Sequence, residues 1–153
     1  MKAKMTVEET WNGEDVKIRG KRVTGKTAWE TGLIIEGNAK VLSAVNNGYL
    51  AASITTQSVE KGSKTESPSK YGNGKLPIPD GFKEVAKPAN NNSENVLVVV
   101  GTPVTYGPYV EFLTRPFLRP AMDMAQGRAI SLGEVNGRIE FKDYLVPKGG
   151  KVK

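Results

Sequence analysis

The side chains that this chain offers for chemistry are carboxylates, amines, guanidinium groups and hydroxyls, because the sequence contains no histidine and no cysteine. It therefore lacks the imidazole of a catalytic triad, a thiolate nucleophile, and the nitrogen and sulfur ligands that usually hold zinc. Carboxylates alone suit Mg²⁺ or Ca²⁺, yet no spacing of Asp and Glu matches an ion-binding loop. The composition makes an enzyme a minor hypothesis, and we expect no catalytic residue, no metal and no cofactor.

Two patterns still bear on enzymatic chemistry. A carboxylate-dependent hydrolase would need Glu111, Asp123 or Asp143 to converge on a metal ion. The run Gly25-Lys26-Thr27 resembles the end of a phosphate-binding loop, but no strand is predicted immediately before it. We interpret this second pattern as a coincidence.

The chain is basic, since 22 Lys and Arg against 16 Asp and Glu give a net charge of +6. Such an excess suits contact with a polyanion such as DNA, so a basic nucleic-acid-binding module is one alternative function. A solvated basic surface explains the charge equally well, because the excess is scattered along the chain. The exception is the Gly-containing tail, where Lys148, Lys151 and Lys153 are the candidates for DNA contact.

The length of 153 residues predicts a single domain, and the 17 Gly and 9 Pro residues predict many turns between short elements. No apolar run approaches the roughly 18 residues of a membrane span, and residues 1–5 lack the apolar stretch of a signal peptide. We therefore expect one soluble domain over residues 1–153, made in the cytoplasm and kept there or packed into a particle.

A long helix is predicted from Asp15 to Val45, because apolar residues recur there at intervals of three and four. A strand from Met5 to Val7 and at Thr10-Trp11 precedes it, ending in a turn at Asn12-Gly13. Glycines inside the helix each cost about 1 kcal/mol relative to alanine, so the helix must be held by packing against a neighbour. These glycines are Gly20, Gly25, Gly32 and Gly37.

The middle of the chain predicts a sheet with a long insertion. Asn46-Asn47-Gly48 should end the helix, and Tyr49–Ala52 should form one further helical turn. Ser53–Val59 and Val96–Val100 are predicted strands, the second a short unbroken apolar run. The polar residues 60–95 between them are predicted to form an inserted hairpin or loop.

The last third begins with an aromatic, turn-rich segment and continues into a second helix. Pro120 suits the first turn of a helix, because its missing N–H has no partner to lose there. We expect Gly133 to end this helix. The alternation Ile139–Lys142 then predicts a last strand or an extended arm, so that residues 134–153 form a C-terminal arm.

Three blocks carry a pattern of their own: LSAVNNGYLAASI at residues 42–54, VGT at 100–102 with YGPYVEF at 106–112, and RPFLRPA at 115–121. In this order they resemble the tail-completion, or head–tail joining, family of long-tailed bacteriophages. That family tends to have Pro-Val-Asp-Thr-Gly, Tyr-Ala-Pro-Tyr-Val-Glu-Phe-Gly-Thr and Arg-Pro-Phe-Leu-Arg-Pro-Ala at these places. This chain departs from it at Asn46-Asn47, which replace Asp-Thr, and at Leu113, which replaces glycine.

The resemblance implies an α+β fold, with a long N-terminal helix packed on a small, mainly antiparallel sheet and a second helix after Pro120. It implies a structural virion protein rather than an enzyme. Several copies, six by this resemblance, would form a ring in the phage neck between the head connector or stopper and the tail terminator or tail tube. Double-stranded DNA would pass through that ring. Another neck, adaptor or minor tail role is the alternative within the same class.

The aromatic residues Tyr106, Tyr109, Phe112 and Phe117 lie within twelve positions. Aromatic side chains dominate the energetics of both cores and interfaces. We expect Phe112 in the core of the monomer. Phe117 is also expected there, although with Leu118 it is a candidate for subunit contact. For Tyr106 and Tyr109 the sequence leaves core and interface equally open, and both are interface candidates.

Arg115 and Arg119 flank Pro116-Phe117-Leu118 and are the candidates for ion pairs across a subunit boundary. A guanidinium group makes two-pronged hydrogen bonds to a carboxylate, and Glu111 is the nearest acidic candidate. The alternative is a pair of solvated arginines, each worth under about 1 kcal/mol if it pairs at the surface.

Overall fold

The computed structural model describes residues 12–43, 48–61, 82–84 and 96–145. Their elements form an α+β fold in which two long helices and a small sheet account for most of the described residues. In chain order the elements are α1 (Gly13–Leu42), α2 (Tyr49–Ser53), β1 (Thr55–Lys61), β2 (Phe82–Glu84), β3 (Val96–Gly101), α3 (Gly107–Tyr109), the π-helical turn π1 (Val110–Thr114), α4 (Leu118–Glu140) and α5 (Lys142–Leu145).

The sheet has three strands in the order β2-β1-β3, and both pairings are antiparallel. Strand β1 pairs with β3 from Thr55 opposite Gly101 to Glu60 opposite Val96. The end of β1 also pairs with the short β2, so that Lys61 lies opposite Phe82. Strand β3 is therefore an edge strand within the part of the sheet that the structure describes.

Helix α1 packs on the sheet at Gly32, which is buried. A Cβ atom built at this position would lie 2.7 Å from Val98 Cγ1 and 2.9 Å from Thr56 Cγ2. The Thr56 hydroxyl donates a hydrogen bond of 3.2 Å to the Gly32 carbonyl oxygen. Because Gly32 has no side chain, the helix backbone lies directly against two strands. This close packing offsets the low helix propensity of glycine at this position.

Helices α1 and α4 run antiparallel, as contacts at both ends demonstrate. Asn38 Nδ2 lies 3.5 Å from the carbonyl oxygen of Ala121, at the start of α4. Arg19 Nη1 donates a 2.8 Å hydrogen bond to the carbonyl oxygen of Glu140, at the end of α4. The two helices therefore lie side by side over nearly the whole length of α4.

The hydrophobic core lies where the C-terminal end of α1 meets the start of α4. Phe117 is its largest member and is 0% exposed. Partly buried apolar residues from the helices and from β3 pack around it. The fully buried cluster consists of Ala39, Leu50, Ile54, Phe117 and Ala121.

Most of the predicted elements are confirmed. The long helix, the helical turn after Gly48 and both strands occur within a few residues of their expected bounds. Gly48 has a φ of 68° and lies immediately before α2, so glycine takes the left-handed conformation at the start of this helical turn. Pro120 lies in the first turn of α4, as its chemistry predicts. Within the predicted insertion, Phe82–Glu84 forms β2 and pairs with the end of β1, and the other residues between 62 and 95 lie outside the described residues.

The prediction of a C-terminal arm from residue 134 is wrong for the described residues. Helix α4 continues through Gly133 to Glu140, and α5 follows at once. The buried Asn136 explains this, because its Nδ2 donates to Thr27 Oγ1 at 3.2 Å and to Glu30 Oε2 at 2.8 Å, both on α1. Packing against α1 thus outweighs the low helix propensity of glycine. The strand predicted at residues 5–11 and the tail after residue 145 lie outside the described residues.

Candidate subunit interface

The segment between the sheet and α4 is helical rather than irregular. Helix α3 continues directly into π1, and the Arg115 N–H donates to the Val110 carbonyl oxygen at 2.9 Å, a bond across five residues. Gly107 is buried at its start, where an added Cβ would lie 2.6 Å from Thr102 Cγ2. The wide π turn changes the direction of the chain at Arg115, and the chain then enters α4.

Glu111 caps the N-terminus of α4. Its Oε2 accepts hydrogen bonds from the backbone N–H of Phe117 at 2.7 Å and of Leu118 at 2.9 Å, and its Oε1 accepts one from Arg119 at 3.1 Å. Pro120 has no N–H, and the Ala121 N–H already donates to the Phe117 carbonyl oxygen. One carboxylate and one proline therefore satisfy every free donor of the first turn.

The environment of Glu111 stabilises its charged form. Partial burial alone would raise the pKa of this carboxyl. The three backbone N–H groups and the positive charge of Arg119 outweigh that effect, so the pKa of Glu111 lies below its ordinary value. The positive end of the α4 dipole acts in the same direction. Glu111 is thus an ionised cap whose acceptor oxygens already bind its own chain.

Four apolar side chains of this helical segment face solvent, and we call them the ridge. Phe112 is 74% exposed and Leu113 is 73% exposed, values typical of a surface loop rather than of a core. Exposed apolar residues are ordinary when scattered, but a contiguous group marks an interaction site. The ridge consists of Tyr106, Tyr109, Phe112 and Leu113.

A groove of about 280 Å³ lies beside the ridge, and we call it the ridge groove. One wall is the end of β3 and the residue after it, residues 99–102, and the other is formed by residues of α3 and π1, including Pro108 and Phe112. Phe117 and Leu118 complete the lining from the start of α4. The groove is mainly apolar, so water in it is readily displaced by an apolar group.

The structure separates the residues that the sequence grouped together. Phe117 is fully buried within its own chain, so its assignment to the core is confirmed. Phe112 was expected in the core, and that expectation is wrong. Tyr106 and Tyr109 are exposed, at 43% and 60%. Leu118 is half-buried.

The two arginines are exposed, and neither has an ion pair within the ranges that the structure describes. Glu111 is not a free partner for them across a boundary, because the α4 backbone occupies its oxygens. Arg115 therefore remains available for an acidic group of another molecule, whereas the charge of Arg119 also acts on Glu111 of its own chain. The tail lysines Lys148, Lys151 and Lys153 lie outside the described residues.

The carboxylate-dependent hydrolase finds no support in the geometry. Glu111 lies at the start of α4 and Asp143 beyond its end, and a helix of 23 residues is about 34 Å long. Asp143 instead lies 3.7 Å from Arg19. Within residues 12–43, 48–61, 82–84 and 96–145 no acidic group of three could hold a metal ion.

The phosphate-binding pattern also fails on structural grounds. Residues 20–27, GKRVTGKT, have the full spacing of such a loop. They lie inside α1, where the backbone N–H groups are directed along the helix instead of converging on an anion. The Thr24 hydroxyl donates to the Gly20 carbonyl oxygen, as in an ordinary helix.

A second apolar surface follows one side of α4. Met124, Val135 and Ile139 are each more than half exposed. Beside them, Val135 and Leu132 of α4 and Ile34 of α1 line a shallow groove of about 310 Å³. The ridge and the α4 side are thus both exposed apolar surfaces of the described part of the monomer.

Sequence reasoning grouped the residues of this segment, but it missed the cap formed by Glu111 and the exposure of Phe112 and Leu113. The signal for the cap was present, since Phe117 precedes α4 and has no side-chain oxygen to serve as a cap. A carboxylate just upstream, such as Glu111, was therefore a candidate for the cap. No family model, curated protein or solved structure matches the chain. None of the described helices is both long and apolar enough to cross a membrane.

Proposed function

We propose that this chain is a structural subunit of a long-tailed bacteriophage that completes the tail and joins it to the head connector. In this role it assembles as a ring in the neck, through which double-stranded DNA passes. It catalyses no reaction, and its mechanism is geometric. It occupies the junction between head and tail. One of its surfaces contacts the neighbouring copy, and others contact the head connector and the tail proteins.

The observation that carries the proposal is the convergence of the three phage-like blocks in one place. Leu50 and Ile54 from the first block, Val100 and Val110 from the second, and Phe117 from the third belong to one apolar cluster. Glu111 of the second block caps the helix that the third block begins. The residues that resemble the phage family are therefore also the residues that form the core and orient the ridge.

The exposed ridge supports self-association in particular. Phe112 and Tyr109 would bury large areas with little loss of rotamer freedom if a neighbour covered them. Arg115 and Arg119 lie next to this surface and would supply polar specificity around an apolar centre. A single surface that docks on a different surface of the next copy generates a ring when the rotation closes.

The experiment is electron microscopy of lysates from a phage that lacks this gene. We expect DNA-filled heads beside separate, finished tails, and rescue by the wild-type chain. The double variant Tyr109→Ala, Phe112→Ala should fold normally but fail to rescue, whereas Glu134→Ala on the exposed side of α4 should rescue fully. Intact infectious particles without the gene would contradict the proposal.

A further inference from the structure

Strand β3 is an edge strand within the described part of the sheet, and its last three residues line the ridge groove together with Thr102. An edge strand presents unpaired backbone N–H and C=O groups. In β-strand addition, an extended segment of another chain pairs with such an edge. The backbone edge supplies hydrogen bonds, and adjacent apolar pockets bind alternate side chains of the added strand.

The two ends of the domain differ in what they carry. Arg19 binds the Glu140 carbonyl oxygen, and Tyr144 donates to Asp15 at 2.7 Å, so the start of α1 and the residues after α4 share one end. At the other end Ala39 packs with Phe117, which lines the ridge groove. Residue 12 therefore lies at the end of the domain opposite the groove.

The chain before residue 12 contains a segment suited to such an edge. Met5 and Val7 alternate with Thr6 and Glu8, the pattern of a strand with one apolar face. Glu8 and Glu9 are adjacent acidic residues, whereas the surface beside the groove carries the exposed Arg115 and Arg119. The segment and the surface are thus complementary both in apolar pattern and in charge.

The segment cannot reach the groove of its own molecule. From residue 12 to Met5 the chain spans at most about 25 Å when fully extended. Gly32, against which Val98 and Val100 of β3 pack, lies about 28 Å along α1 from Gly13, and Ala39 lies about 39 Å along it.

We propose that residues 5–9 of one copy add as a strand to the edge of β3 in the next copy, with Met5 and Val7 in its ridge groove. The groove of about 280 Å³ equals the volume of about nine water molecules, which suits apolar side chains of this size. Glu8 and Glu9 then lie near Arg115 and Arg119 of the receiving copy. This inference rests on the self-association in the proposed function and names its contact.

The arrangement sets the direction of assembly. Each copy gives its arm from one end and receives an arm at the other, so the contact is head-to-tail. Such a contact joins each copy to its neighbour's sheet through backbone hydrogen bonds and apolar burial, and it generates a ring when the rotation between copies closes.

The absence of cysteine makes the test direct. Single cysteines are placed in turn at residues 5, 6, 7, 8 and 9 and combined with Val99→Cys on the groove wall. The purified full-length chain is oxidised and separated without reductant, and native mass spectrometry gives the oligomeric state of the unmodified chain. The matched control pairs each arm cysteine with Glu134→Cys, which is exposed on α4.

We expect a ladder of disulfide-linked oligomers with Val99→Cys, strongest for alternate arm positions because strand side chains alternate. The Glu134→Cys pairs should give at least tenfold less product. A link within one chain, an equal yield with Glu134→Cys, or no link would overturn the proposal. If residues 62–81 or 85–95 of the same chain occupied the groove instead, no disulfide link would form, and the proposal would be wrong.

The outcomes separate this inference from the proposed function. Oligomers of the unmodified chain without a ladder would leave self-association standing and remove only the arm. Intact phage particles formed without the gene would contradict the neck role, whereas a ladder would still establish the arm contact. A chain truncated before residue 10 provides a second measurement, since it should fold as the wild type does and remain monomeric.

Discussion

The carboxylate of Glu111 lies 2.7 Å from the backbone nitrogen of Phe117, six residues further along the chain. This contact joins an exposed segment to the most deeply buried aromatic residue of the core. Because the same carboxylate also binds Leu118 and Arg119, it fixes the direction in which α4 leaves the ridge. The position of the ridge relative to the groove thus depends on one acidic side chain.

Removal of this cap should destabilise the fold. We expect Glu111→Ala to lower the free energy of unfolding by about 1–2 kcal/mol, because three backbone donors lose their acceptor. Chemical denaturation with urea measures the change. Glu134→Ala is the matched control, since Glu134 is an exposed acidic residue of the same helix, and it should change stability little. Equal losses in both variants would show that the cap contributes nothing specific.

The same cap makes stability depend on pH in the acid range. The pKa of Glu111 is lower in the folded chain than in the unfolded chain. Its contribution is therefore fully present above the unfolded pKa and is lost as the pH falls through the folded pKa. Urea unfolding of the wild type and of Glu111→Gln at a series of pH values should show the difference between them shrinking with acidification. A difference independent of pH would contradict this account.

Two glycines of α1 should respond in opposite ways to the same substitution. Gly32→Ala places a methyl group within 2.7 Å of Val98 and should destabilise the fold by roughly 1–2 kcal/mol. Gly37→Ala meets no atom within 4 Å and should stabilise it by up to about 1 kcal/mol, through helix propensity. Thermal unfolding of both variants tests this pair. A stabilised Gly32→Ala variant would mean that helix and sheet are not in close contact there.

Phe112 and Phe117 should differ sharply in their effect on folding. Phe117→Ala removes a side chain that is 0% exposed, and we expect a loss of about 3–5 kcal/mol. Phe112→Ala removes one that is 74% exposed, and the change should be within about 0.5 kcal/mol. Denaturation of dilute, monomeric protein gives both values. Similar losses for the two phenylalanines would contradict the placement of Phe112 on the surface.

Tyr144 should control the ionisation of Asp15. The hydrogen bond from the Tyr144 hydroxyl is the main cause that lowers the pKa of Asp15, with Arg19 adding to it. Tyr144→Phe should therefore raise the pKa of Asp15 towards its ordinary value, as followed by NMR titration of the carboxyl carbon. Tyr49→Phe, at an exposed tyrosine elsewhere, is the control and should leave the titration unchanged.

Local sequence patterns determined most of the elements of this protein. The apolar periodicity of α1, the unbroken apolar run of β3 and the proline in the first turn of α4 each act over a few neighbouring residues. For this reason they could be recognised without knowledge of the rest of the chain. The absence of histidine and cysteine likewise restricts the available chemistry through composition alone, whatever the fold.

Tertiary contacts decided what the patterns could not. Phe112 and Phe117 are the same residue type five positions apart, and only the packing of α4 against α1 and α2 buries one and exposes the other. Helix α4 passes through Gly133 because Asn136 binds Thr27 and Glu30 on a distant part of the chain. Burial and long-range hydrogen bonds depend on which elements pack together in the folded chain. A pattern of neighbouring residues does not specify those contacts.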